Sequence, residues 1–205
     1  DYHTSKNYRT VYFADGQEYL DYADPIKTFD YLINIQQVHP FIAVFISPPN
    51  RDKRMNWYRC NPNYILYVRK IVKFIDEHFS TIKEPQQRLH CGVSMGGLVS
   101  FYVGLECRDL FAQVAAQSGA WEESQTYNIK EKIEKFNPSN PLKVWLCAGT
   151  FESQYSNHIY PDTQEVETLC KDKGWTVSAL YSPEGHSWGL WRWTLPHILR
   201  YFFAW

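Results

Sequence analysis

Cysteine is scarce in this sequence and is not arranged in pairs. The 205 residues include five cysteines, an odd number, and no two of them form a Cys-x-x-Cys pair. This arrangement argues against both a disulfide framework and a zinc site. Cys91 and Cys147 lie in apolar, strand-like runs, where we expect buried thiols. The pattern favours a reducing, cytoplasmic location.

An excess of one charge and a long apolar run are also missing. The chain has 21 Lys and Arg against 22 Asp and Glu, a formal net charge of −1. This balance gives no electrostatic reason to expect a nucleic acid or an anionic membrane as a partner. No apolar run approaches the roughly 20 residues of a membrane span. Aromatic residues, by contrast, reach 17%, and we expect some of them to line a pocket.

Strand-like and helical segments alternate along the chain. Runs that are rich in β-formers or continuously apolar occur at residues 9–14, 41–47, 88–93, 112–118, 142–149 and 176–182. Helical patterns lie between them, most firmly at residues 64–79, and the last helix is predicted at 193–203. This alternation predicts an α/β fold with a mainly parallel sheet covered by helices on both faces. We expect residues 1–205 to form one catalytic domain.

A serine flanked by glycines occurs where a strand gives way to a helix. The segment Gly92-x-Ser94-x-Gly96 follows the strand at 88–93 and precedes helical residues. This context is typical of a nucleophile elbow, a tight turn that lifts a serine hydroxyl above the edge of a sheet. An ordinary glycine turn is the alternative. The placement favours a catalytic nucleophile at Ser94.

The elbow predicts an acid and then a histidine later in the chain. His186 lies in a Pro- and Gly-bearing loop after the last strand, which is where the base is expected, whereas His158 and His90 are expected at the surface. Glu152 is the first carboxylate after the strand at 142–149 and is the predicted acid, with Asp162 in reserve. A carboxylate there orients the imidazole and stabilises the imidazolium.

An oxyanion hole requires backbone N–H groups that face the developing negative charge. The amide of Met95, at the start of the helix after Ser94, is one candidate. The second is expected in the turn after the first strand, where Asp15-Gly16 is followed by Gln17. This chemistry implies no metal and no organic cofactor.

These motifs together resemble the putative-esterase family of α/β-hydrolases, which includes enterochelin esterases, feruloyl esterases and esterase D. The segments that carry the resemblance are YRTVYFADG, RMNWYRCNPN, GVSMGG, SGAW, CAGTFE and GHSWGLWR. The resemblance implies an α/β-hydrolase fold, and members of the family begin with strands that precede the one near Tyr8, so we expect the first strands to be absent. Asp is common in the family where Glu152 stands, and a Ser–His dyad without an acid is the alternative.

The expected partner is a small-molecule ester. Trp57, Trp121 and Trp188 lie in loops that are expected above the carboxyl ends of the strands, where an aromatic acyl group or a siderophore-type ester stacks against them. Arg54 is a candidate contact for an anionic or catecholate group. The favoured function is a serine esterase that forms an acyl-serine intermediate. An acyltransferase or thioesterase with the same machinery, and a catalytically silent binding module, are the alternatives.

Overall fold

A computed structural model describes residues 2–124, 127–136, 141–153 and 158–205. Its sheet has six strands in the order β2-β1-β3-β4-β5-β6. The strands are β1 Arg9–Ala14, β2 Phe41–Ile46, β3 Arg88–Val93, β4 Gln113–Gln117, β5 Lys143–Gly149 and β6 Thr176–Ser182. All neighbouring pairs in this sheet are parallel. The carboxyl ends of the strands therefore meet along one edge.

Eight α-helices in the described part of the chain connect and follow these strands. They are α1 Gly16–Tyr22, α2 Pro25–Asn34, α3 Arg51–Tyr58, α4 Pro62–His78, α5 Met95–Glu106, α6 Ile129–Glu134, α7 Ile159–Asp172 and α8 Trp188–Phe203. Helices α1, α2 and α8 pack on one face of the sheet, and the buried side chains of α3 to α7 pack on the other. The predicted α/β-hydrolase type of fold, with a parallel sheet between two layers of helices, is confirmed.

Close packing at the centre of the sheet explains its apolar sequence. Every residue of β3 and β4 is buried, which is expected for strands covered on both faces. Helix α5 is buried from Met95 to Leu105. A Cβ atom at Gly104 would lie 2.3 Å from Val114 Cγ2. The absence of a side chain at Gly104 therefore allows α5 to pack closely against β4.

Three segments differ from the sequence prediction. No helix was predicted at residues 51–58, but α3 forms there, because the Asn50 side chain caps the helix by accepting a hydrogen bond from Lys53 N and Tyr58 is buried at its end. Helix α1 was not predicted. Helix α8 begins at Trp188, five residues before the predicted start, with Ser187 as its N-cap.

The fold also shows where the cysteines lie and how long and how apolar the helices are. All five cysteines are free and buried, and burial raises the pKa of Cys91 to about 12. In the described ranges, none of the helices combines the length and the apolar character needed to cross a bilayer.

Candidate active site

Ser94 occupies a sharp turn between β3 and α5. Its backbone has φ 55° and ψ −122°, a conformation that costs a non-glycine residue about 1–3 kcal/mol. Neighbouring backbone holds it on both sides, because Ser94 N–H donates to Gln117 O at 2.8 Å and Ala120 N–H donates to Ser94 O at 3.1 Å. The turn and its strain are therefore fixed by the end of β4.

Gly92 explains why this turn needs small residues. A Cβ atom at Gly92 would lie 2.2 Å from Gly96 O and 2.8 Å from Ser100 Oγ. No larger residue fits at this distance without moving the backbone. The first glycine of the motif is thus required by the close approach of α5 to β3.

His186 lies in the loop between β6 and α8 and reaches Ser94. Its Nε2 is 2.9 Å from Ser94 Oγ, and its Nδ1 is 2.7 Å from Glu152 Oε1. An ionised carboxylate only accepts hydrogen bonds, so the network assigns the proton of the neutral imidazole to Nδ1. Nε2 then presents its lone pair to the serine hydroxyl.

Glu152 is held in a 3₁₀ turn, Thr150–Ser153, directly after β5. Its Oε2 accepts a hydrogen bond from Gly149 N at 2.7 Å, and its side chain is 1% exposed. A Cβ atom at Gly149 would lie 2.0 Å from Glu184 O. Gly149, before the loop of Glu152, therefore packs closely against Glu184 in the loop that carries His186.

The other candidate acid and histidines lie elsewhere. Asp162, the reserve acid, is on α7, where it accepts a hydrogen bond from Lys130 Nζ at 2.8 Å. His158 is exposed, as expected. The prediction of an exposed His90 is wrong, because both faces of β3 are covered and this side chain is fully buried. Burial lowers the pKa of His90 from 6.5 to about 3.

The two amides expected at the oxyanion hole differ in their surroundings. Met95 is the first residue of α5, and N–H groups at this position have no carbonyl partner within the helix. Gln17 is in the first turn of α1, and its N–H donates to Ser47 Oγ at 2.9 Å. An oxyanion at Gln17 N must therefore compete with the Ser47 hydroxyl.

A cavity of about 520 Å³ opens beside Ser94. Its walls include Ser47, Arg51, Arg54, Trp188 and Trp191. Two of the predicted substrate contacts, Arg54 and Trp188, thus face the same space as the serine. This volume is in the ordinary range for small-molecule sites.

Arg54 is bound to the turn after β1. Its Nε and Nη2 donate to the two carboxylate oxygens of Asp15 at 2.7 and 2.6 Å, and the Asp15 side chain is 2% exposed. Asp15 has φ 57°, and its N–H donates to Tyr58 Oη at 2.9 Å. Much of the hydrogen-bonding capacity of Arg54 is therefore used to hold this turn.

Trp57 and Trp121, the other two tryptophans predicted as substrate contacts, are not among the residues that line this cavity. Trp57 packs against the ring of Tyr67 with the centroids 5.0 Å apart. Trp121 is buried, and its Nε1 donates to Thr163 Oγ1 at 2.9 Å. These contacts place Trp57 against α4 and Trp121 against α7.

Three residues of the site were missed by the sequence analysis. From the sequence, Asp15 was placed in a turn, Ser47 at the end of a strand and Trp191 in the segment GHSWGLWR, but none of them was given a role in the site. The available signal was positional, since Asp15 and Ser47 directly follow β1 and β2 at the edge where the carboxyl ends meet. No group of three or more His, Cys, Asp or Glu side chains that is suited to hold a metal ion occurs among the residues with described positions.

The model of a protein family described as "Putative esterase" matches residues 1–202 of this chain. The chain belongs to the putative esterase family. A relative in this comparison, the uncharacterized protein YbbA of Bacillus subtilis (strain 168), is 23% identical over 195 residues, which cover 86% of this chain and 76% of that protein.

Solved esterase structures have the same fold. The enterobactin esterase of Shigella flexneri in the presence of enterobactin superposes with a TM-score of 0.83 at 22% identity, covering 96% of this chain and 51% of the other. A ferulic acid esterase superposes with a TM-score of 0.79 at 15% identity, covering 98% and 88%. The chain thus spans about half the length of the enterobactin esterase. At these identities the likeness shows the fold.

Proposed function

We propose that this member of the esterase family is a serine ester hydrolase. The observation that carries the proposal is the continuous contact from Glu152 Oε1 through His186 to Ser94 Oγ, with distances of 2.7 and 2.9 Å. A buried carboxylate, an imidazole and a hydroxyl on a strained turn form the constellation used for acyl transfer. In this proposal residues 1–205 act as one catalytic domain.

The reaction proceeds in two halves. His186 Nε2 accepts the Ser94 proton while Oγ attacks the carbonyl carbon of the ester, and the amides of Met95 and Gln17 stabilise the oxyanion. His186 then gives the proton to the leaving alcohol, and an acyl-serine remains. Water repeats the sequence and releases the acid. Glu152 holds the imidazole in the required tautomer and stabilises its charged form.

The proposed substrate carries an aromatic acyl group, as in a hydroxycinnamoyl ester or a siderophore-type ester. Trp188 supports this, because its indole lines the cavity and packs against Tyr19 and Tyr22 with centroids 5.3 and 5.6 Å away. An aromatic wall of this kind favours a stacked ring. Suitable probes are an ester of ferulic acid and enterobactin, the compounds for which the related esterases are named. An alkyl acetate, which has no aromatic ring, serves as the comparison.

Covalent labelling with a fluorophosphonate tests the nucleophile. We expect Ser94 to be the modified residue, and we expect Ser94→Ala to abolish both labelling and hydrolysis of an activated aryl ester. Product that forms only when an alcohol or thiol acceptor is added would identify an acyltransferase. Folded wild-type protein that neither labels nor turns over would favour a binding module and would overturn the proposal.

A further inference from the structure

A buried group of polar side chains holds Trp191, whose ring packs against His186. Its centre is Gln117, the last residue of β4, which is fully buried. Gln117 Oε1 accepts from Tyr19 Oη at 2.6 Å, and Nε2 donates to Trp191 O at 2.7 Å and to Thr194 Oγ1 at 2.6 Å. Both amide hydrogens and the amide oxygen of Gln117 therefore have partners, and these hydrogen bonds tie α1 and α8 to the sheet.

The next residue, Ser118, extends this group to the indole of Trp191. Ser118 has φ 50°, and its N–H donates to Cys147 O at 2.8 Å. Its hydroxyl accepts the Trp191 Nε1–H at 2.9 Å. A non-glycine residue in this left-handed conformation requires support from its surroundings. Here the conformation aims the hydroxyl at one indole nitrogen.

Trp191 in turn lies against the imidazole of His186. The two ring centroids are 4.8 Å apart, and the ring planes are nearly perpendicular, at 88°. Trp191 is 6% exposed. Perpendicular aromatic contacts at this distance are favourable. The imidazole therefore meets a fixed ring in addition to its hydrogen bonds with Glu152 and Ser94.

We propose that Trp191, held in place by Ser118 and Gln117, is a positioning residue that sets the plane of the His186 imidazole. The same strand end also holds the nucleophile, because Gln117 O accepts the Ser94 N–H. One structural unit thus fixes the turn of the serine and the ring of the histidine. The role in catalysis rests on the proposed ester hydrolysis, whereas the orientation of the ring can be measured without it.

The direct test is proton NMR of the His186 Nδ1–H. In the wild type we expect a far-downfield resonance that His186→Gln removes. Trp191→Leu is expected to broaden or remove it, because the ring can then rotate away from Glu152. The matched control is Trp193→Leu, since Trp193 makes a similar contact with His197 on the same helix, at 5.3 Å, and is 50% exposed. The control should keep the resonance.

Kinetics supply the second readout. We expect Trp191→Leu to lower kcat by about 10- to 100-fold, since small misplacements of reacting groups have effects of this size. Because Trp191 also lines the cavity, KM is measured with a small aryl ester, and we expect it to change by a smaller factor than kcat does. Trp191→Phe, which keeps a ring, should recover most of kcat.

Ser118→Ala keeps the test decisive if Trp191→Leu does not fold. This variant removes only the acceptor for the indole N–H, and it should weaken the resonance and lower kcat less than Trp191→Leu does. An unchanged His186 resonance in folded Trp191→Leu or Ser118→Ala would overturn the positioning role. A resonance that responds as expected in a protein whose wild type hydrolyses no ester would instead count against the proposed function alone.

Discussion

Ser94, together with Glu152 and His186 in the loops that follow β5 and β6, forms one side of the site, the chemical wall. Glu152 is 1% exposed there, and both of its carboxylate oxygens accept hydrogen bonds. Ser47 and Arg51, which line the cavity beside Ser94, are exposed and belong to the open wall. In the proposed reaction the chemical wall keeps three side chains in one arrangement, and we propose that the open wall recognises the substrate.

Asp15 and Arg54 line the open wall but are held in place by hydrogen bonds, unlike the exposed Ser47 and Arg51. They form a two-point ion pair at the exit of β1, in which Asp15 is buried and Arg54 is partly exposed, and Asp15 Oδ2 would lie only 3.0 Å from a Cβ atom at Gly96. The pair thus touches the first turn of α5, where the elbow lies. The Asp15–Arg54 pair is therefore packed against the chemical wall, although it lies on the open wall. Variants of residues on both walls can test whether the two walls have different roles.

After the loss of Ser94 itself, the largest effect is expected from Glu152→Gln. Gly149 N–H needs an acceptor, so the new amide will place its oxygen there and turn its NH₂ towards His186 Nδ1. The imidazole must then carry its proton on Nε2, which blocks proton transfer from Ser94. We expect kcat to fall by about 10² to 10⁴-fold, as measured by steady-state hydrolysis of an aryl ester.

Asp162→Asn is the control for this variant, because Asp162 was the reserve acid and binds Lys130 instead. Its kcat should stay close to that of the wild type. A Glu152→Gln enzyme with kcat within tenfold of the wild type would show that Ser94 and His186 operate as a dyad.

Arg54→Lys is expected to have the next largest effect. Lysine cannot make the forked contact with both Asp15 oxygens, so a buried carboxylate loses a hydrogen bond. We expect the free energy of unfolding to fall by about 1–3 kcal/mol and kcat to fall with it, as the turn before Gln17 loosens. Urea denaturation and steady-state kinetics measure the two effects.

Arg51→Lys is the matched control, since Arg51 is on the same helix, lines the same cavity and is exposed. Its unfolding free energy should change by less than about 0.5 kcal/mol. If Arg54→Lys instead raised KM for anionic esters and left stability unchanged, Arg54 would be a substrate contact, as the sequence analysis expected.

The third effect depends on pH. Because the pKa of folded His90 is lowered to about 3 by burial, only the unfolded chain binds a proton between about pH 6.5 and 3. Stability must therefore fall as the pH drops through this window, by about 1 kcal/mol per pH unit. His90→Asn should lack this contribution, so its stability deficit relative to the wild type should shrink towards low pH in urea titrations.

Ser100→Ala separates burial from hydrogen bonding at His90. The network assigns the His90 Nδ1–H to Ser100 Oγ, at 2.9 Å, since the Ser100 proton is given to Gly96 O. This variant leaves the imidazole buried, so we expect it to keep the pH dependence of the wild type. Equal pH dependence in the wild type and His90→Asn would contradict the assignment.

Local signals explain which parts of the site could be predicted from the sequence. The strand, the Gly92-x-Ser94-x-Gly96 turn and the helix are adjacent in the chain, so their pattern predicts the elbow directly. His186 and Glu152 were placed because each follows a readable strand. The six strands were found for the same reason, since continuous apolar runs between turns indicate buried parallel strands.

Contacts between distant residues explain what the sequence left open. Arg54 and Asp15 are 39 residues apart, and no local pattern links them. Helix α3 is polar along most of its length, and its stability comes from the Asn50 cap and from the burial of Tyr58. The burial of His90 depends on helices that pack from both faces, so a polar residue in a strand was interpreted as exposed.

The smallest effect is expected at Ser47, on the open wall. Its hydroxyl accepts the Gln17 N–H that is assigned to the oxyanion, and this hydrogen bond must be given up in the transition state. Ser47→Ala removes the competitor, so we expect kcat to rise by about two- to fivefold, equivalent to one modest hydrogen bond. Ser47→Thr keeps a hydroxyl and should match the wild type. A fall in kcat for Ser47→Ala that Ser47→Thr restores would show instead that the hydroxyl donates to the oxyanion, and Ser47 would then belong with the chemical wall.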